Sequence, residues 1–377
     1  MKRIYLDNAA TTPLDPEVIE AMTANLHSLY GNPSSIHAQG RETRTVIERA
    51  RKKIAAYLHC TPSEIFFTSG GTEADNMAIQ GAVLDMGIKH IISTKLEHHA
   101  VLHTIQNLEK RGLVEVTYLK TEKDGKISKE ELQEVLRKRP QSLVSLMEAN
   151  NEIGTRIDLE EIGRICEENG SIFHSDTVQS MGHFKHDLQK QKVHFLACAA
   201  HKLHGPKGIG FIYIRNSVKI KPFIQGGSQE RNMRGGTENL MGILGLEKAF
   251  ELAERDLDIH REYIQNLKSH LAGRILREIP GSEINGAADP KDSLYTVLNI
   301  SFPESEVGDM LLFNLDIEGI SASGGSACTS GSEQGSHVLT ALGLNPNRPS
   351  VRFSFSKFNT LEEMDKTVDI LKKLFRT

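Results

Sequence analysis

The sequence predicts an α/β fold, with a large domain on a mostly parallel sheet and a smaller α/β domain beside it. Three observations carry this. Between Glu64 and Arg215 short β-rich runs alternate with stretches of helical apolar spacing, the pattern of crossover connections between parallel strands. Several of those runs are apolar throughout, as strands covered by helices on both faces require. Beyond Gly236 a long helical stretch leads into a second, shorter α/β series.

The first strand of the large unit is EIFFT from Glu64, which leads into a helix containing Asn76, Ile79 and Val83. HIIST from His90, VEVTYL from Val114, SLVSLM from Ser142, SIFHSD from Ser171, VHFLACA from Val193 and IGFIYIR from Ile209 continue the series. Two helices are read from apolar residues three and four apart: Ile47, Ala50, Ile54 and Leu58, then Val101, Leu102, Ile105 and Leu108. The basic residues between Arg49 and Lys53 alternate with the first of these sets and read as its solvated face. Past residue 236 the helical pattern over residues 238–257 is the expected boundary, since no Pro-rich linker and no internal repeat occurs. TVLNISF from Thr296, a helix near residues 305–314 and VRFSF from Val351 form the smaller unit.

With 377 residues, 38% hydrophobic and 25% charged, the chain can bury a sizeable core in one or two compact units. A formal net charge of -4 argues against a general nucleic-acid binder. Residues 1–6 lack the charged and then apolar run of a signal peptide, and no apolar stretch approaches the roughly 18 residues that cross a bilayer. The expected location is therefore the cytoplasm, with no membrane partner. Cys60, Cys166, Cys198 and Cys328 form no CxxC pair, so neither a disulfide framework nor a metal site is indicated.

Ser69, Gly70, Gly71, Thr72 and Glu73 lie between a strand and a helix, where glycines admit a close ligand and unpaired helix-start amides suit a phosphate. The same residues also serve ordinary helix capping. Asp176 ends the strand SIFHSD, with Gln179 three residues on, and ligands of open α/β sheets sit at such carboxyl ends. His201 and Lys202 follow the strand VHFLACA directly, so Lys202 should emerge into the same crevice. Lys207 is its rival, but stands between Pro206 and Gly208 in a turn. A lysine, an aspartate and a phosphate cradle are what pyridoxal 5'-phosphate needs: an amine for its aldehyde, an anion for its ring nitrogen and a helix start for its phosphate.

In order along the chain stand YLDNAATTP at Tyr5, YGNPSS at Tyr30, FTSGGTEADN at Phe67, EHHAV at Glu97, NNEIG at Asn150, HSDTVQS at His174 and HKLHGPKGIG at His201. MRGGTEN at Met233, SGGSACTSGS at Ser323 and VRFS at Val351 complete the set. On these residues the chain resembles the class V, fold-type I pyridoxal-phosphate enzymes and, within them, the NifS-like cysteine desulfurases. The resemblance spans nearly the whole chain. It implies a large cofactor-binding domain over residues 14–255 and a small domain from residues 1–13 and 256–377.

What the resemblance implies for the site is carried over by matched position. Lys202 would hold the cofactor as a Schiff base and move protons, Asp176 would meet the pyridine nitrogen, and Gln179 would donate to the ring oxygen. His98 would stack on the ring and serve as a catalytic acid or base; Gly71, Thr72, His201 and, from the second subunit of a homodimer, Thr237 would hold the phosphate. Asn151 and Arg352 would orient the substrate, Arg352 by forking onto its carboxylate. Ala199 also lies at the cofactor, where with Ala200 it replaces the Ser-Gly of many relatives, so a hydroxyl donor to the phosphate is missing.

Cys328 would carry the specific reaction. Its surroundings in SGGSACTSGS are too small and polar to bury a thiol, and an accessible thiolate can attack sulfur. The expected activity converts L-cysteine to L-alanine with the sulfur held as a persulfide on Cys328. From there it would pass to an acceptor protein, an iron-sulfur scaffold or a tRNA-thiolation enzyme. The chain stops at Thr377, without the longer tail by which some relatives dock a scaffold, and the acceptor stays open. Cys166 and Cys198, inside a helical and a strand pattern, read as packing residues. The alternatives are a selenocysteine lyase or another class V enzyme, and a binding protein that kept the fold and lost the cofactor.

Overall fold

The computed structural model describes residues 3–305, 307–324 and 335–375. Its strands are β1 (Ile4–Tyr5), β2 (Ile65–Thr68), β3 (His90–Ser93), β4 (Glu115–Tyr118), β5 (Leu143–Ser145) and β6 (Ile172–Asp176). They continue as β7 (Phe195–Ala199), β8 (Gly210–Ile214), β9 (Glu283–Asn285), β10 (Val297–Ser301), β11 (Ile320–Ser321) and β12 (Ser350–Ser354). The helices run from α1 (Pro16–Thr23), α2 (Ala38–Tyr57), α3 (Gly71–Leu84) and α4 (His99–Lys110) to α5 (Lys129–Lys138) and α6 (Leu159–Glu168). After the single turn α7 (Gln229–Asn232) come α8 (Leu240–Arg255), α9 (Leu257–Glu278), α10 (Leu311–Ile317), α11 (His337–Ala341) and α12 (Leu361–Leu374).

Seven strands form one sheet in the order β2-β8-β7-β6-β5-β3-β4. The pairs from β4 to β7 are parallel, whereas β8 runs antiparallel to both β7 and β2. Side chains alternate faces along a strand, and both faces are covered. Val144, Phe173, Leu196 and Phe211 pack against α2, α5, α6 and α8 through Ile54, Leu136, Ile162 and Phe250. Leu143, Phe195, Ala197 and Ile212 pack against α3 and α4 through Met77, Ile79, Val101 and Ile105. Each such buried leucine or phenylalanine contributes about 1.5–3 kcal/mol, which is why these strands read as continuous apolar runs.

A second core gathers β10 and β12 with α9, α10 and α12. Its antiparallel sheet has the order β12-β10-β9, and β1 pairs in parallel with β11. Ile4 and Leu6 therefore belong to a core built mostly from the far end of the chain. The helix expected near residues 305–314 begins later, with a tight turn over Gly308–Met310 before α10, because Leu311 and Leu315 are the pair that reaches this core.

One expectation fails inside α2. Arg51 is not on a solvated face: it is 1% exposed. It stands three residues before Ile54 and four after Ile47, so helical geometry turns it inward with them. Glu230 makes this tolerable, meeting both guanidinium nitrogens at 2.8 Å, while Arg51 also donates to the Ile65 carbonyl at 2.6 Å. The same carboxylate accepts the Phe67 amide at 2.7 Å. Glu230, Arg231 and Asn232 all have positive φ (43°, 56° and 64°), a conformation that disfavours side chains, so this anchor holds a strained loop against β2. Arg51→Ala and Glu230→Ala should each cost about 3–5 kcal/mol in equilibrium urea unfolding. Replacing exposed Lys52 with alanine should change it by less than about 0.5 kcal/mol. Equal costs at all three positions would contradict the anchoring role.

Candidate active site

β6 and β7 run side by side in parallel, with Asp176 at the end of β6 opposite Ala197 and β7 running on to Ala199. The turn Ala200–Lys202 follows β7, and α3 starts just past β2. These ends enclose a cavity of about 220 Å³, whose walls include Gly71, Thr72, His98, Asn151, Asp176 and Gln179. Ala199, His201, Lys202 and Arg352 also line it. Eleven of the twelve residues expected at the site are among the described residues, and ten of these line this cavity.

Asp176 is buried, and its Oδ1 accepts the Val178 amide at 2.9 Å. Burial pushes its carboxyl up to about 6, against the pull of the Val178 amide and the Lys202 charge. Lys202 Nζ donates to the Ala9 carbonyl at 2.5 Å and the Ala10 carbonyl at 2.8 Å. Gln179 Nε2 reaches the same Ala9 carbonyl at 3.0 Å. Lys207 is exposed in its turn and does not line the cavity.

The N-cap of α3 is Gly70, which offers no side chain to the first-turn amides and leaves them to an outside acceptor. Gly71 has to be a glycine here, since a Cβ would stand 2.4 Å from the Val178 side chain. His98 is the N-cap of α4: its Nδ1 accepts the Ala100 amide at 3.1 Å, which places the proton of the neutral ring on Nε2. Burial first, then the Lys202 charge, lowers His98 to about 4. His201 is likewise lowered to about 4, by burial and then by Lys202.

Arg352, fully buried on β12, donates to the Asn151 carbonyl at 3.0 Å and pairs with Asp7 at 2.8 Å. Thr237 is exposed and lies away from these residues, beside Ser69 and Gly236 in a separate cavity. Cys328 lies outside the described residues. Residues on either side of its segment meet the cavity wall or its immediate neighbour: Ser323 pairs with Arg352 across backbone hydrogen bonds, and His337 Nε2 meets the carbonyl of Glu97, next in sequence to His98, at 3.0 Å. Of the other cysteines, Cys166 and Cys198 are buried and their thiols pushed far up; Cys60, half-buried, is pushed up to about 12 by burial and by Glu64.

Sequence reasoning missed Ala9, Ala10, Asp7 and Asp75. The first three lie in YLDNAATTP, whose contribution is two main-chain carbonyls and one carboxylate, and a carbonyl leaves no trace in residue type. Asp75 sits in FTSGGTEADN at an inward position of α3, and an acidic residue among Ala74, Ala78 and Ile79 was the available signal.

Residues 4–367 match the family described as aminotransferase class-V. The chain belongs to that family. Among class-V proteins it is similar to a cysteine desulfurase IscS of Dictyoglomus turgidum, with 45% identity across 99% of this chain and 95% of the relative. A putative cysteine desulfurase IscS 1 of Bacillus subtilis is 44% identical across 99% of this chain and all of that one (100%). A solved NifS-like protein superposes with a TM-score of 0.89 at 36% identity and covers 98% of both chains. The protein SspA, solved in complex with cysteine, matches with a TM-score of 0.80 at 32% identity, over 95% of this chain and 100% of that one.

The class-V site here keeps His98 uncharged at neutral pH. Its folded pKa lies below the ordinary histidine value of about 6.5, so the unfolded chain takes up this proton first. Below about pH 6.5 this group therefore withdraws stability as the pH falls through about 4. In histidine NMR titrations the His98 ring should stay neutral down to about pH 5. Protonation near 6.5 would show that its burial is lost in solution.

Proposed function

We propose that the protein is a pyridoxal-phosphate-dependent cysteine desulfurase that moves the sulfur of L-cysteine onto Cys328 and releases L-alanine. The observation that carries this reading is one cavity holding Lys202, Asp176 and the uncapped start of α3, with residues on either side of the Cys328 segment meeting its wall or the wall's immediate neighbour. The donor set fits the cofactor: an amine for an aldehyde, a buried anion for a ring nitrogen and helix-start amides for a phosphate. When bound, pyridoxal phosphate supplies an electron sink for bonds broken at the carbon next to the substrate amine.

The chain's own residues would do the rest. Lys202 would hold the cofactor's aldehyde carbon and would move the proton at the substrate Cα, with its amine kept in place by the Ala9 and Ala10 carbonyls. Asp176 holds the ring nitrogen, Gln179 the ring oxygen, and Gly71, Thr72 and His201 the phosphate. His98 covers the ring face as a neutral imidazole. Arg352 takes the substrate carboxylate alongside Asn151, exchanging its contact with Asp7 for the incoming anion. The Cys328 thiolate attacks the substrate sulfur; the carbon-sulfur bond breaks, the sulfur stays as a persulfide, and the three-carbon product gains a proton and leaves as alanine. The high thiol pKa values of Cys60, Cys166 and Cys198 support Cys328 in this role, because a buried thiol is a poor nucleophile.

Two separate cores support assigning cofactor binding to residues 14–255, and the Cys328 segment to the unit of residues 1–13 and 256–377. The outward position of Thr237 supports a homodimer in which it completes the phosphate site of the second subunit. A sulfur-acceptor protein would then take the persulfide sulfur.

Incubation with L-cysteine tests the reading: alanine and persulfide should form in wild type. Cys328→Ser should bind cofactor and cysteine yet make alanine orders of magnitude more slowly, because a hydroxyl replaces a thiolate. Full desulfuration by that variant would move the sulfur to another cysteine. Ala199→Ser should tighten cofactor binding by up to roughly 1.5–3 kcal/mol through a charge-assisted hydrogen bond to the phosphate. Titration of apoprotein with pyridoxal phosphate reads this directly, and unchanged affinity would place the phosphate elsewhere.

A further inference from the structure

A carboxylate that this chemistry leaves unused lines the same cavity. Asp75, in α3, is 1% exposed, and the charges of Asp176 and Glu97 act on it. Among the described residues no lysine or arginine pairs with it. Its Oδ1 stands 3.3 Å from His174 Nε2, and neither atom has an aligned hydrogen bond. The other ring nitrogen, Nδ1, meets Ser145 Oγ at 2.9 Å. An imidazole N–H is fixed in the ring plane and here misses the carboxylate, whereas a carboxyl O–H can swing about its C–O bond toward the nitrogen. Like charges on three buried carboxyl groups that act on one another disfavour full ionisation, so a proton is favoured on at least one of them.

We propose that Asp75 is a positioning residue: a neutral carboxylic acid that rests its proton against His174 Nε2 and leaves Asp176 as the anion that meets the cofactor's ring nitrogen. This rests on the reading of Asp176 given above. Burial, then the charges of Asp176 and Glu97, hold the Asp75 carboxyl well above the usual carboxylate range. Burial lowers His174 to about 3, so the ring accepts a hydrogen bond from the acid without taking its proton. Strand geometry makes the arrangement possible: His174 and Asp176 are two residues apart on β6 and share the sheet face against which α3 packs. Without the imidazole acceptor, the Asp75 proton would turn to the carboxylate whose charge acts on it most, Asp176, and weaken its hold on the ring nitrogen.

Two measurements test this. Infrared difference spectra of the cofactor-loaded protein near neutral pH should contain the C=O stretch of a protonated carboxylic acid. That band should shift with isotope-labelled aspartate, which separates it from Glu97, and vanish in Asp75→Asn. The second measurement is the affinity of apoprotein for pyridoxal phosphate relative to its analogue with carbon in place of the ring nitrogen. Asp75→Asn should keep the wild-type ratio within about threefold, because an amide replaces a neutral acid of the same shape. His174→Leu should lower the ratio about tenfold or more, and His174→Gln, which restores an acceptor, should recover it. A wild type without an aspartate band, a tenfold change in Asp75→Asn, or an unchanged ratio in His174→Leu would each overturn the proposal. If wild type itself showed no preference for the ring nitrogen, the reading of Asp176 would fail first, and this inference with it.

Discussion

Burying Asp176 is the constraint on which the rest of the site depends. An isolated carboxylate taken out of water costs several kcal/mol, so the position is tenable only where other elements supply compensation. The Val178 amide comes from the turn after β6, and the charge of Lys202 from the turn after β7. Both are within reach because β6 and β7 are adjacent and parallel, so their carboxyl ends open at the same edge of the sheet. A cofactor nitrogen would complete the compensation, and the half-met demand of the protein alone is visible in a carboxyl pushed up to about 6.

The lysine is held by a segment from the other core. Asn8 Nδ2 donates to the Ser354 carbonyl and the Ala9 amide to Ser354 Oγ, each at 2.8 Å, which ties residues 8 and 9 to β12. The Thr12 amide then meets the His201 carbonyl at 2.9 Å, and the Asp15 amide meets that of His204 at 3.0 Å. One segment, residues 7–15, thus fixes the Lys202 turn relative to the strand that carries Arg352. Asp7, in the same stretch, pairs with the buried guanidinium of Arg352. The distance between the Lys202 amine and the Arg352 guanidinium is therefore set by the main chain of residues 7–15 rather than by either core alone.

Much of this was legible in the residues. Strand runs such as SIFHSD and VHFLACA were readable because both faces of the sheet are covered, and Asp176 and Lys202 were readable because a charged residue at the end of such a run breaks the apolar pattern. Arg51 was misread for a related reason. Helical spacing gives its direction correctly, but a basic residue counts as solvated unless a partner is known, and Glu230 lies 179 positions away.

The sequence by itself determined the α/β class, the order of the strands along the chain and the placing of Asp176 and Lys202 at strand ends, because local periodicity and residue type encode these, whereas His98, Asn151 and Arg352 were named only through the matched motifs. Only the tertiary structure decided which main-chain atoms hold Lys202, which carboxylate pairs with Arg352, and that Asp75 faces His174 beside Asp176. Those choices depend on contacts between residues far apart in sequence, and a carbonyl, or an acid turned inward with no cation to meet it, acquires its meaning from what the fold sets against it.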